Sequence, residues 1–203
     1  MTPFVQCVDM TVGRRLRGMT NDLTVRADDH QAGPADAPVT LIEYGDFQCP
    51  FRRKAHPIVL ELQQRLAAKL CFVFRNFPLT QIHPNALHAA AAAESVNATS
   101  GADAYWRMHH LIFEHQQDSP DALDDEHLAQ YAATAGGDPV QVKSDLDSGT
   151  YEARVKADFK SGIRSGVNGT PTFFINGERF DGDWQNGAEF VDALERAAGA
   201  TVA

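Results

Sequence analysis

The tightest constraint on this chain is one junction, Tyr44 to Pro57, read Y-G-D-F-Q-C-P-F-R-R-K-A-H-P. An apolar run, Val39 to Tyr44, leads into it and suits a strand buried on both faces of a parallel sheet under helices. A helix predicted from about Pro50 to Leu66 leaves it, with Ile58, Val59, Leu62, Leu66 and Leu70 at helical spacing. Cys49 therefore stands where a strand ends and a helix begins. Pro50 takes the first helical position, where its missing N–H has no helical partner to lose. Free backbone N–H groups and the positive end of the helix dipole face the thiol and favour its thiolate. Arg52, Arg53 and Lys54 add to that bias while repelling one another and weakening the helix start. Pro57 removes a helical hydrogen bond and predicts a kink.

The usual redox motif at such a junction is Cys-x-x-Cys. Here it reads Cys49-Pro50-Phe51-Arg52. Dithiol exchange needs a second thiolate to attack the mixed disulfide and release substrate. Cys71 is poorly placed for that. It lies near the start of a second strand candidate, Leu70 to Phe77, whereas Cys49 lies past the end of the first. Six residues at roughly 3.3 Å each separate the two strand ends by about 20 Å. A disulfide needs Cα atoms within about 7 Å. Cys71 reads as an inert core thiol, as buried cysteines usually are, and Cys7 as a passenger in the tail. A monothiol remains.

Residues 1–37 read as a tail and lead-in, with Leu23 to Arg26 as a short edge strand. Residues 38–80 hold a strand, a helix and a strand, a right-handed parallel unit. Residues 81–166 form a helical block with candidates at His83–Val96, Ala104–Gln116, Asp124–Ala135, Pro139–Leu146 and Tyr151–Gly166. Gly101, Ser119-Pro120, Gly136-Gly137 and Gly149 punctuate it. Residues 167–200 close the chain with the strand Thr172–Ile175, an Asn176-Gly177 type I′ turn, a return strand Glu178–Phe180 and a helix Glu189–Ala198. The fold class is α/β.

A-D-A-P-V-T-L-I-E-Y-G-D-F-Q-C-P-F, then F-V-F-R-N-F-P-L, H-P-N-A and G-V-N-G-T-P-T-F-F-I-N-G follow one another along the chain. Together they resemble the DsbA-like thioredoxin family, above all its bacterial members fused to sodium/proton antiporters. The resemblance runs from about Asp29 to Ala198. It implies a thioredoxin fold, β-α-β then β-β-α, with an inserted helical domain, and a thiol-disulfide exchange ancestry. Carried over by position, Cys49 matches the attacking cysteine and Arg52 falls where the resolving cysteine belongs. Pro50, Phe51, Thr170 and Pro171 fall on the substrate-binding surface. Thr170-Pro171 matches the loop whose proline is cis and whose backbone pairs with extended substrate. Glu43 matches a semi-buried acid that relays protons beneath the site.

Arg52 has two readings: a fork beside the sulfur for a carboxylate such as glutathione's, or a surface side chain on a site that has lost its redox function. Phe47 and Phe51 suit an apolar substrate groove, Phe47 equally a core position. His56 reads as a surface residue. His109, His110 and His115 read as a half-exposed helix face, since a metal wants three or four convergent ligands; no metal is expected. A net charge of −9 argues against nucleic acid or an anionic membrane as partner. Arg14-Arg15 is followed by Met19-Thr20-Asn21-Asp22 rather than an apolar segment, so the expected location is cytoplasmic.

The sequence therefore predicts a thiol-disulfide oxidoreductase. It works by a monothiol route, with Cys49 as nucleophile, no bound cofactor, and an external thiol such as glutathione as co-substrate. The alternatives are a redox-inactive peptide-binding module and glutathione transferase or isomerase chemistry. Protein or small-molecule disulfides and thiols are the expected partners.

Overall fold

The computed structural model describes residues 22–200, so Cys7, the Arg14-Arg15 pair and Met19 lie outside the described residues. The described strands form one sheet in the order β1-β3-β2-β4-β5. They are β1 (His30–Ala32), β2 (Val39–Gly45), β3 (Leu70–Asn76), β4 (Thr172–Ile175) and β5 (Glu178–Arg179). The helices are α1 (Pro50–Leu66), α2 (Ala86–His115), α3 (Asp125–Ala135), α4 (Pro139–Ser148), α5 (Glu152–Arg164) and α6 (Gly187–Ala200). The chain is thus α/β, with a β-α-β half, four helices, and a β-β-α half. No helix among the described residues is long and apolar enough to cross a membrane.

The two central strands run parallel and in unbroken register, from Val39 opposite Leu70 to Gly45 opposite Asn76. Their lack of polar alternation has a plain cause, because both faces are covered. Leu41, Phe72 and Phe74 pack with Val59 and Leu62 of α1 and Leu194 of α6. Ile42, Tyr44 and Val73 point the other way, onto Phe77, Phe174 and Phe159 of α5. Side chains alternate between faces along a strand, and Cys71 falls on that second face, away from α1.

Two glycines permit close approach. A Cβ on Gly45, the last residue of β2, would lie 2.3 Å from the Phe74 ring. One on Gly162 would lie 2.6 Å from the Phe77 ring, which is how α5 settles onto Tyr44 and Phe77. The β4–β5 hairpin turns on Asn176 and Gly177, with φ of 49° and 84°, as a type I′ turn requires. Asp124 and Asp138 cap α3 and α4 through backbone N–H groups, and left-handed Gly136 and Gly149 end them.

Two expectations change. His83–Val96 and Ala104–Gln116 are parts of one span, α2, broken at Gly101 where φ is 80° and ψ −179°. Leu23–Arg26 is not a strand; the edge strand is His30–Ala32. The reason is Asp29, whose carboxylate accepts the Arg26 backbone N–H at 2.7 Å and folds the segment back.

Asp29 also anchors the lead-in to the sheet. Arg75 of β3, fully buried, donates to both Asp29 oxygens at 2.9 and 2.7 Å and to the Tyr44 hydroxyl at 3.0 Å. Arg26 reaches the same carboxylate at 2.8 Å. These hydrogen bonds from Arg75 and Arg26 outweigh burial and hold the Asp29 carboxyl below its ordinary value. Asp29→Asn leaves Arg75 buried without its counter-charge. We expect a loss of about 3–5 kcal/mol in urea unfolding at neutral pH. A lowered carboxyl stabilises the fold above its ordinary value and loses that contribution as acid protonates it. The deficit should therefore shrink below about pH 4, and an unchanged deficit there would assign the loss to packing instead.

Candidate active site

Cys49 is the N-cap of α1, with extended backbone (φ −73°, ψ 123°), and Pro50 occupies the first turn. The loop before it is held by two side chains that sequence reasoning passed over. Asp46 accepts the Gln48 N–H at 2.7 Å and the Leu79 N–H at 2.8 Å, and its carboxylate meets His83 Nδ1 at 2.7 Å. Gln116, at the end of α2, donates to the carbonyls of Phe47 at 2.6 Å and Cys49 at 3.3 Å. An Asp two residues before Gln48 is a turn signal in itself. Gln116 carries no local signal, because its partner lies 67 residues back in the chain.

The thiol of Cys49 donates to the carbonyl of Thr170 at 3.3 Å. The Thr170–Pro171 peptide is cis. Cys49, Thr170 and Pro171 therefore meet at one point, where the helix start faces the loop before β4. Cys49 as a whole residue is only 3% exposed. Pro50 is exposed beside it, and Phe51 is 54% exposed. Phe47 is a core residue, packed on Phe74 and Phe113, and does not line a groove. A cleft of about 550 Å³ beside Pro50 is lined by Gln48, His83, Gln117 and Pro120.

Both sequence readings of Arg52 are corrected. It is neither beside an open sulfur nor on the surface; it is fully buried. Its guanidinium contacts the Glu43 carboxylate on β2, also fully buried. The same cation lies 4.3 Å from the Phe113 ring centroid and 5.4 Å from that of Phe74. Its Nη2 donates to Nε2 of His109 at 3.4 Å. A first-turn side chain three residues after the N-cap points into the core when its helix face does, whatever its charge. Glu43 is thus not semi-buried, and its contact is with Arg52 rather than with the sulfur. Burial pushes its carboxyl up to about 7 against the pull of Arg52. Burial likewise lowers the Arg52 guanidinium, against the pull of Glu43.

Cys71 is buried on the far face of the sheet, outside any disulfide, its thiol donating to Gln31 Oε1 at 3.8 Å, and burial raises that thiol. His56, expected at the surface, is buried against His109, His110 and Phe113. His109 is also buried, among Phe47, Phe74 and Trp106, rather than on a half-exposed face. His115 does lie at the surface, paired with Asp118.

Arg52→Met keeps much of the volume and removes the cation. With Glu43 left alone, we expect a loss of about 3–5 kcal/mol at neutral pH. A carboxyl raised by burial favours the folded state below its ordinary value and loses that as pH rises through the raised value. The Arg52→Met deficit in urea unfolding should therefore be larger at pH 8 than at pH 5. Equal deficits at the two would remove Glu43 from the account.

Comparison with known proteins places this geometry. A family model described as Thioredoxin matches residues 26–196. The chain is 38% identical over 173 residues to the Na(+)/H(+) antiporter NhaA 1 of Mycolicibacterium gilvum, covering 84% of this chain. It spans only 27% of that protein's length, and about a quarter of other curated antiporter relatives. Among solved structures, BdbD from Bacillus subtilis superposes with a TM-score of 0.77 at 24% identity, over 84% of this chain and 93% of that one. Wolbachia pipientis alpha-DsbA1 gives 0.76 at 19% identity, over 91% and 98%. At those identities the superpositions establish the thioredoxin fold with its helical insertion. With the family match and the ordered motifs, the chain belongs to the DsbA-like thioredoxin family.

Proposed function

We propose that the protein is a thiol-disulfide oxidoreductase working through Cys49 alone. The observation that carries this is the meeting of Sγ with the Thr170 carbonyl, 3.3 Å away, at a helix N-terminus. Position 52 there holds a buried cation instead of a second thiol.

The Cys49 thiolate attacks one sulfur of a substrate disulfide. A Cys49–substrate disulfide forms, and the other substrate sulfur leaves as a thiolate. An external thiol such as glutathione then attacks the Cys49 sulfur, releasing the first substrate sulfur as a thiolate and leaving Cys49–glutathione. A second glutathione attacks the glutathione sulfur of that adduct, giving oxidised glutathione and the free Cys49 thiolate. One disulfide is reduced and two thiols are oxidised. This route needs a reduced thiol pool, which supports a cytoplasmic, reducing location. Substrate chain would pair with the backbone before Pro171 and lie along Pro50 and Phe51. Arg52, being buried, does not hold the incoming carboxylate; Arg53 and Lys54, turned outward, are the cations available to it. Glu43 lies beneath the site with its carboxyl held against the Arg52 guanidinium.

A second reading has an observation in its favour. The low exposure of Cys49 fits a module that holds an extended peptide without turnover. Incubation with oxidised glutathione followed by mass spectrometry separates the two. The oxidoreductase gains one glutathione on Cys49, released by added thiol; the module gains none. We further expect Arg52→Cys, assayed near pH 5 where Glu43 is least costly to leave unpaired and after circular dichroism shows it folded, to raise disulfide-reductase turnover well above that of the natural chain, by supplying the resolver. Turnover no higher than the parent would mean that the scaffold, not the missing thiol, limits exchange.

A further inference from the structure

His56 of α1 and His109 and His110 of α2 form a cluster that the exchange chemistry does not use. One ring nitrogen from each lies within 4.8 Å of the other two. The ring centroids stand 5.1, 5.3 and 5.4 Å apart. Three imidazoles on a tetrahedral ion, with metal–nitrogen bonds of about 2.0–2.1 Å, put their centroids about 5.2 Å apart. Nε2 of His56 and Nδ1 of His110 share a hydrogen bond at 3.3 Å, a separation that two nitrogens ligating one ion, about 3.3 Å apart, would keep.

A cluster that served only as packed core would satisfy its polar atoms. Here Nδ1 of His109 is buried without a hydrogen-bond partner and, with Nε2 of the same ring against Arg52, is the nitrogen that ring has left for an ion; the non-ligating Nδ1 of His56 is unpartnered too. The surroundings keep the rings ready as ligands. Desolvation, with Arg52 adding to it, lowers all three imidazoles from their ordinary value. Arg52 lies close, and its charge is offset by Glu43 in direct contact. Glu114, one turn beyond His110, brings a negative charge to the outer side. His110 is only partly buried and gives the cluster its opening to solvent.

We propose that His56, His109 and His110 form a binding site for one Zn2+-class transition-metal ion, tying α1 to α2 behind the Cys49 site. Three neutral imidazoles suit zinc better than they suit the hard, oxygen-seeking cations. The fourth position falls to water.

The test is calorimetric titration of the full chain with Zn2+ alone, followed by X-ray absorption spectroscopy of the loaded protein. We expect one Zn2+ per chain and a first shell containing three imidazole nitrogens. Binding should weaken at least tenfold in His110→Gln and His56→Gln, and stay unchanged in His127→Gln, whose ring pairs with Asp124 at the surface. His110 is the most exposed of the three, so its variant tests the site with least disturbance to the core. The absorption spectrum of the natural chain needs no variant at all. Absence of saturable binding, a shell without three imidazoles, or binding lost in His127→Gln but kept in His110→Gln would each overturn the proposal.

Discussion

A guanidinium in contact with a carboxylate, both out of reach of water, underlies the thiol of this protein. Arg52 comes from the first turn of α1 and Glu43 from β2, so their contact fastens the helix to the strand beneath Cys49. Neither charge would be tolerated there alone. Together, with Phe113 and Phe74 against the planar cation, they occupy the space as a neutral unit. The pair also relieves a conflict in the sequence. Three consecutive basic residues open a helix whose dipole disfavours them, but one of the three is turned inward and neutralised, leaving Arg53 and Lys54 on the solvent side.

The rest of the site follows from that fixed helix start. Asp46 and Gln116 hold the loop that ends at Cys49, and the Thr170 carbonyl receives the thiol from the opposite side. Because Cys71 lies across the sheet, a disulfide within the described chain is not a reachable state of Cys49.

Much of the architecture was legible in the residues. The apolar runs of β2 and β3, the Cys-Pro junction and the Asn-Gly turn each carry a local physical signal, and each element formed where that signal lay. Contacts between distant segments were not legible. A run of Arg-Arg-Lys looks solvated until the face of its helix is known, and Arg52 points to a carboxylate nine residues earlier. His56 and His109 likewise look like surface residues, because a histidine carries no mark of burial; 53 positions separate them, and only the packing of α1 on α2 brings them together. The Leu23–Arg26 segment has strand-like residues, yet the carboxylate of Asp29 bends it, a hydrogen bond that propensity does not encode.

The sheet is deep in the middle and slight at its margins. Its central strands run seven residues, whereas the outer ones run three and two. A long bare margin of unpaired amides is what recruits foreign strands into aggregates. Margins this brief offer a passing unfolded chain few amide rungs on which to build.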